Sequence, residues 1–172
     1  MKKQLTSVKA ALYSAVMGAL GCILTLFAIP IGPNTHINLY VLPAVLVGTT
    51  NGWFLGALAG AIGSIYTIVL WGHPGSIVYG AILGGLTGLF KEKLKLRTTF
   101  AAFIAHVITL PWLYWSLHVW LGTPLPVFWL GMGTMVIQLL VACLITEGII
   151  SVPAIRRRIP NTIEIEPKKK VT

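Results

Sequence analysis

Three side chains on one predicted helix could together form the wall of a binding pocket. Trp112, Trp115 and His118 are three residues apart, which places them on roughly one face of an α-helix. Indole rings can stack on a flat ligand, and an imidazole can donate or accept a hydrogen bond. Tryptophan also collects at membrane interfaces whatever the function, so a structural role for each single aromatic stays open. Together the three predict a pocket for a small molecule with a flat ring.

Other candidates lie at the ends of neighbouring apolar segments, where the same outer half of a membrane domain would bring them near this face. On the predicted helix itself, Tyr114 and Trp120 are expected on other faces. The expected substrate-binding residues carry amide, imidazole or aromatic groups: Asn34, His36, Asn38, Trp71, His73, Tyr79, Trp112, Trp115, His118, Trp129 and Gln138.

The predicted outer half of the membrane domain lacks acidic residues. The chain contains no Asp and four Glu, and none of the Glu falls in the predicted outer half. A cationic substrate would have only aromatic faces to meet it, so a neutral or mildly anionic ligand is expected. The four histidines show no His-x₃-His spacing, which argues against a metal site. No cofactor is expected either, although nickel or cobalt uptake through the outer histidines stays an alternative.

Catalysis has little support in the sequence. No Ser-His-acid set and no phosphate-binding GxxxxGK[ST] motif is evident, so a non-enzymatic protein is expected. Glu147 is the single acid within an apolar segment, and such a residue is a functional candidate by default. Glu147 with His106 therefore leaves a membrane enzyme as a weaker alternative.

Two long apolar stretches must position these groups. Residues 10–90 contain no Lys, Arg, Asp or Glu, and residues 98–155 contain only Glu147. At about 20 residues per crossing, the first has room for four helices and the second for two. The sequence predicts an all-α integral membrane protein: a compact bundle of six transmembrane helices over 1–155 and a basic cytoplasmic tail over 156–172.

The basic residues flank these stretches, in residues 2–9, 91–97, 156–158 and 168–170. Short basic loops beside membrane spans stay cytoplasmic, so four spans followed by two place both termini inside. The net charge of +9 is therefore explained by topology and anionic lipid rather than by nucleic acid.

The individual helices are expected at 9–29, 38–49, 53–70, 76–90, 98–121 and 127–152, with an irregular Pro/Gly/Asn loop at 30–36 and a kink at Pro111. Small residues recur every four positions within three of them. Such rows let helices approach closely in lipid. The rows are Gly52, Gly56 and Gly60; Gly80, Gly84 and Gly88; and Ala11, Ala15 and Ala19. The glycine rows predict packing inside the bundle, with a docked partner helix as the alternative, and the alanine row is the better docking candidate.

One segment resembles a known family. The runs HINLYVLPAVLVG at 36–48 and GWFLGALAGAIGS at 52–64 resemble the substrate-binding S components of energy-coupling-factor (ECF) transporters. The resemblance implies capture of a vitamin or vitamin precursor at the outer face of a prokaryotic plasma membrane. It also implies docking through Ala11, Ala15 and Ala19 onto an ECF transmembrane coupling subunit, with energy from two ATPase subunits that this chain lacks. The rival hypothesis is a stand-alone small permease or channel, assembled through the glycine faces.

Overall fold

The computed structural model describes residues 2–32, 35–156 and 159, and it is helical apart from one hairpin. The elements are α1 (Lys2–Leu26), β1 (Ile29–Gly32), β2 (Thr35–Ile37), α2 (Val41–Asn51), α3 (Trp53–Gly63), α4 (Ile65–Trp71), α5 (Gly75–Leu94), α6 (Thr98–Leu113), a π-helical segment (Tyr114–Trp120), α7 (Leu125–Ser151) and α8 (Pro153–Arg156). Most of the predicted tail at 156–172 lies outside the described residues.

Several helical stretches can cross a membrane by length and composition. Among the described residues there are four: Val8–Leu26, Trp53–Leu70, Thr98–Trp120 and Leu125–Ser151. The helix α2 is apolar but shorter, and α5 is not one of the four. The prediction of a helical membrane protein with several spans is confirmed, whereas the count of six is not established.

The short helix α2 lies at the centre of the bundle. All of its residues except Leu42 are buried, and it packs on α1, α3, α5 and α7. The hydroxyl groups of Thr49 and Thr50 donate to the carbonyl oxygens of Val45 and Leu46, one turn back. Its polar side chains are thereby satisfied inside an apolar core, as burial requires.

The two glycine rows face each other between α3 and α5. A methyl group built on Gly60 would overlap the Gly80 carbonyl oxygen, and one on Gly56 would overlap the Gly84 carbonyl oxygen. At the far end, one on Gly88 would come within 2.7 Å of the Trp53 backbone. The prediction that these rows pack inside the bundle is therefore confirmed, because the helices approach closely enough to exclude side chains.

The predicted third helix is interrupted rather than continuous. It divides at Ser64, whose hydroxyl donates to the Gly60 carbonyl oxygen at 2.8 Å. Such back-bonding competes with the regular helical pattern and bends helices. The break directs α4 toward the end of the bundle at which α5 begins.

The predicted fifth helix changes type after Pro111. Proline lacks an N–H and crowds the preceding turn, so a kink was expected there. The structure keeps α-helical geometry to Leu113 and then continues as the π-helical segment Tyr114–Trp120. This change alters which side chains share a face, because π-helical spacing differs from α-helical spacing.

The expected loop at 30–36 contains a β-hairpin, so the all-α description needs a correction. The strands β1 and β2 pair antiparallel, with Ile29 opposite Ile37 and Pro30 opposite His36. Ile29 and Ile31 are branched residues that suit a strand, and Pro30 is tolerated on an edge strand. The hairpin packs on α7 through β2.

Candidate functional site

A cavity of about 310 Å³ lies at the end of the bundle where the hairpin sits. Its walls come from the hairpin and the start of α2, the α4–α5 junction, the π-helical segment with the loop after it, and the first half of α7. The lining residues are His36, Asn38, Tyr40, Thr67, His73, Ser76, Leu117, Leu121, Thr123, Val127, Phe128, Gly131, Met132, Thr134, Met135 and Gln138. The volume is in the range of small-molecule sites.

The cavity wall is divided between polar and apolar sides. The hairpin and the α4–α5 junction contribute hydroxyl, amide and imidazole groups, whereas the π-helical end and α7 contribute mainly Leu, Val, Phe and Met side chains. None of the lining residues is Asp, Glu, Lys or Arg. The site therefore suits an uncharged ligand with one polar edge and one apolar face.

A side-chain hydrogen bond ties the hairpin to α7. The Gln138 side-chain Nε2 donates to the His36 carbonyl oxygen at 2.6 Å, across 102 residues of sequence. Gln138 is buried, and both residues line the cavity. Next to them, the Asn38 carbonyl oxygen Oδ1 accepts the Tyr40 backbone N–H at 3.3 Å. The hairpin is thus held over the cavity by amide groups.

The opposite polar wall is a buried cluster at the α4–α5 junction. The hydroxyl groups of Thr67 and Ser76 are hydrogen-bonded to each other, and Ser76 also bonds to the His73 carbonyl oxygen at 2.7 Å. The His73 ring nitrogen Nε2 lies 3.3 Å from the Ser116 hydroxyl oxygen. Burial lowers the pKa of His73, in the loop after α4, to about 4. His73 is therefore uncharged at neutral pH.

Four of the predicted substrate-binding residues meet at this cavity: His36, Asn38, His73 and Gln138. Asn34 lies outside the described residues, and the Trp71 side chain does too. Tyr79 does not line the cavity. It lies in the core beneath, where its hydroxyl group is 3.2 Å from His106 Nδ1.

The predicted pocket wall of Trp112, Trp115 and His118 does not line the cavity. Trp112 and Trp115 do lie side by side, with ring centroids 5.3 Å apart, but neither lines the cavity. The Trp112 indole N–H donates to the Gly75 carbonyl oxygen at 3.0 Å, and Trp115 is 49% exposed. Trp129 is 62% exposed on the outside of α7. Exposed indoles of this kind are typical of a membrane interface.

His118 contacts Tyr114 and the backbone of Thr123. Its ring stacks on Tyr114, with centroids 5.0 Å apart, and its Nδ1 donates to the Thr123 carbonyl oxygen at 2.7 Å. The expectation that Tyr114 lies on another face is therefore wrong. Tyr114 and His118 are four residues apart, and residues at this spacing are already neighbours on an α-helix, so the spacing argument overlooked this pair.

The sequence argument also left cavity residues out of the predicted site. Tyr40, Thr67, Ser76 and Thr123 line the cavity but were not among the expected substrate-binding residues. A usable signal existed for Thr67, because a hydroxyl residue within an apolar span needs a local partner.

The remaining candidates lie away from the cavity. On α1, Ala11 and Ala19 are exposed and Ala15 is half-buried, because the helix packs through its other face. That packed face consists of Ala10, Ser14, Gly18, Gly21 and Thr25.

Within the part of the chain that the structure describes, no group of three metal-ligating side chains comes together. Glu147 is exposed and accepts a hydrogen bond from the Thr99 hydroxyl at 3.1 Å.

One family model matches this chain. It is described as 5TMR of 5TMR-LYT, and the match covers residues 1–160. No curated protein and no solved structure matches the chain. The expected membership of the ECF S components is therefore wrong, since the matching model is that of a different membrane family. The resemblance rested on the runs at 36–48 and 52–64, and the structure shows that Gly48, Gly56 and Gly60 in these runs pack closely against neighbouring helices.

Proposed function

The chain belongs to the 5TMR of 5TMR-LYT family of multi-span membrane proteins, and we propose that it is a receptor-like domain that binds a small uncharged molecule in the cavity beneath the hairpin. The observation that carries the proposal is the cavity itself, which has about 310 Å³ and no charged lining residue. Its mixture of hydrogen-bonding groups and an apolar wall is typical of small-molecule sites.

The orientation follows from the basic residues. The helix α5 begins at the cavity with Ser76 and ends with Lys91 and Lys93 in its last turn. Lysine-rich ends of membrane helices face the cytoplasm, so the cavity faces outward in the plasma membrane of a prokaryote. Both termini are cytoplasmic in this arrangement when α2 and α5 each cross the membrane as well.

The floor of the cavity favours binding over an open pore. Below Ser76 on the same helix, Tyr79 and Leu83 are almost completely buried, and Leu139 of α7 is buried with them in the core cluster. A molecule that enters the cavity meets packed side chains rather than a path to the other side. We propose a non-enzymatic role for this site.

The experiment uses two glycines of α7. Gly131 lines the cavity and Gly133 is exposed, and a methyl group at either would touch nothing within 4 Å. The Gly131→Phe variant should fill the cavity and release any molecule that purified wild-type protein retains in native mass spectrometry. The Gly133→Phe variant should retain it. Equal retention by both variants contradicts the proposal, and so does a wild-type protein that neither retains a ligand nor binds any member of a neutral fragment library.

A second candidate function is substrate capture for ATP-driven import, with the energy supplied by other subunits. The supporting observation is α1, where Ala11 and Ala19 are exposed outside the bundle beside the larger side chains of Leu12 and Val16. Small residues let a partner helix approach closely in lipid. The Ala15→Trp variant should lose partner assembly and keep ligand binding, whereas Leu144→Trp on the exposed face of α7 should keep both. Uptake by this chain alone in proteoliposomes without ATP would instead identify a permease.

A further inference from the structure

The protonation of His73 restricts what the cavity can bind, and this inference rests on the proposed binding function. The Ser116 hydroxyl donates to the Leu113 carbonyl oxygen, 3.4 Å away. With its proton on that carbonyl, the Ser116 oxygen accepts a hydrogen bond from His73 Nε2, 3.3 Å away, in the tautomer that carries the ring proton on Nε2. An uncharged imidazole carries one N–H and one acceptor nitrogen. The proton on Nε2 therefore leaves Nδ1 as an acceptor, and no described residue bonds to it.

The hydroxyl groups beside His73 offer no proton to the cavity. Thr67 donates to the Ser64 carbonyl oxygen at 2.6 Å, and Ser76 donates to the His73 carbonyl oxygen at 2.7 Å. The same two hydroxyl groups also lie in hydrogen-bonding contact with each other, and with one proton each they can form two of these three bonds at a time, so both protons stay within the cluster. On α7, Thr134 donates to the Gly131 carbonyl oxygen at 2.8 Å. This side of the cavity presents lone pairs only.

The hairpin side has the opposite character. The Asn38 amide accepts the Tyr40 N–H through Oδ1, which leaves its NH₂ group for the cavity. Gln138 uses one N–H on the His36 carbonyl oxygen and has a second. Asn38 and Gln138 therefore add N–H donors at the hairpin end, beside the Gln138 carbonyl oxygen, whereas the His73 end presents acceptors.

We propose that the ligand is an uncharged, flat ring with N–H or O–H donors toward His73 and a carbonyl acceptor toward Asn38 and Gln138, as in cyclic amides and ureides. A cation would match the acceptors but would have no counter-charge among the lining residues, and an unpaired buried charge is costly. An anion would face the lone pairs at the His73 end. The apolar wall, which includes Phe128 and Met132, covers the face of the ring.

The binding test compares quinazoline-2,4-dione, which has two N–H donors, with its 1,3-dimethyl derivative, which has none. Binding to full-length protein in detergent is measured by calorimetry or native mass spectrometry. The dione should bind at least about tenfold more tightly than the derivative, since a buried acceptor left without a partner costs more than 1 kcal/mol. Equal binding of the two, tighter binding of benzamidinium, or no binding of the dione overturns the proposal.

The positioning role of Ser116 is tested through the ratio of the affinities for the dione and for its dimethyl derivative. The Ser116→Ala variant frees His73 Nε2 from its partner, so the preference for the dione should collapse. The matched control is Ser151→Ala, since Ser151 also donates to a carbonyl three residues back but is exposed and distant. In wild-type protein, ¹⁵N NMR of labelled histidine should show the His73 proton on Nε2. A proton on Nδ1 overturns the proposal.

These outcomes separate the ligand class from the binding function itself. If Gly131→Phe releases a retained molecule and Gly133→Phe does not, the cavity is a binding site whatever the dione does. If the dione then binds no more tightly than its dimethyl derivative, only the inference about the N–H or O–H donors of the ligand is overturned.

Discussion

The two sides of α5 show opposite ways of filling space in a membrane protein. Toward α3, Gly80, Gly84 and Gly88 bring the two backbones into contact and leave no room for a methyl group. Toward α6 and α7, Tyr79 and Leu83 pack through large side chains, and the packing opens into the cavity at the end of the helix. Close packing through glycine makes one side a rigid support, whereas interrupted helices and large side chains leave a site on the other.

The α3–α5 contact should tolerate substitutions less well than the side of α5 that faces α6 and α7. A Gly60→Ala substitution places a methyl group against the Gly80 carbonyl oxygen, and neither backbone can move without separating α3 from α5. Forced overpacking of this kind costs about 3 kcal/mol. We expect a large loss of folded protein, measured as monodisperse yield and melting temperature in detergent.

The control for that substitution is Gly133→Ala on α7, where a methyl group meets nothing within 4 Å. Alanine is the better helix former, so this variant should keep or slightly raise the melting temperature. If Gly60→Ala is as stable as Gly133→Ala, the close approach of α3 and α5 is not the support inferred here.

On the cavity side, the largest effect should come from the hairpin tie. The Gln138→Leu variant removes the donor to the His36 carbonyl oxygen and keeps a side chain of similar size. Loss of a typical hydrogen bond costs about 0.5–1.5 kcal/mol net. Ligand binding should weaken about tenfold or more, because the hairpin also forms a wall of the cavity.

Calorimetry on wild-type protein and on Ile137→Leu provides the comparison for Gln138→Leu, since Ile137 is the adjacent exposed position. Binding that is unchanged in Gln138→Leu would show that the hairpin is held by its other contacts with α7.

A smaller effect is expected where an aromatic side chain supports the cavity from outside. The Trp112→Phe variant loses the indole donor to the Gly75 carbonyl oxygen, at the start of α5. A typical hydrogen bond contributes about 1 kcal/mol net. The melting temperature should fall by a few degrees, while Trp115→Phe, at a half-exposed ring, should leave it unchanged. Equal shifts in the two variants would contradict the assigned difference between these indoles.

Sequence patterns predicted the features of this fold that depend on local repetition. The spacing of Gly56 and Gly60 against Gly80 and Gly84 requires only that both segments be helical, and the packing followed. His36 and His73 were each expected among the substrate-binding residues at the outer end of the predicted bundle, whereas their proximity could not be read from the sequence; both line the cavity.

The aromatic wall could not be predicted in the same way. The shared face of Trp115 and His118 depended on α-helical geometry, and the chain turns π-helical at Tyr114. Nothing local distinguishes that change from the simple kink expected at Pro111. The Gln138–His36 tie was also out of reach, because it joins positions 102 residues apart and depends on a hairpin that the Pro/Gly-rich loop concealed.

At neutral pH the smallest expected effect is that of His73 protonation, because it appears only in acid. The pKa of His73 is about 4 in the folded protein, against about 6.5 for an unperturbed imidazole in an unfolded chain. Between these values the unfolded chain binds a proton that the folded protein does not. The free energy of unfolding therefore falls as the pH decreases from about 6.5 to about 4, and this contribution levels off below pH 4.

The His73→Gln variant isolates this contribution, since glutamine can still hydrogen-bond toward Ser116 but does not titrate in this range. Melting temperatures of both proteins in the same detergent, from pH 7.5 to pH 4.5, should diverge in slope only below about pH 6.5, with the wild type falling more steeply. Subtracting the variant removes the titration of every other group that the two proteins share. Parallel curves would mean that His73 is solvated in the folded state. In that case the cavity side of α5 would be open to water where the structure closes it, and its contrast with the glycine side would be sharper still.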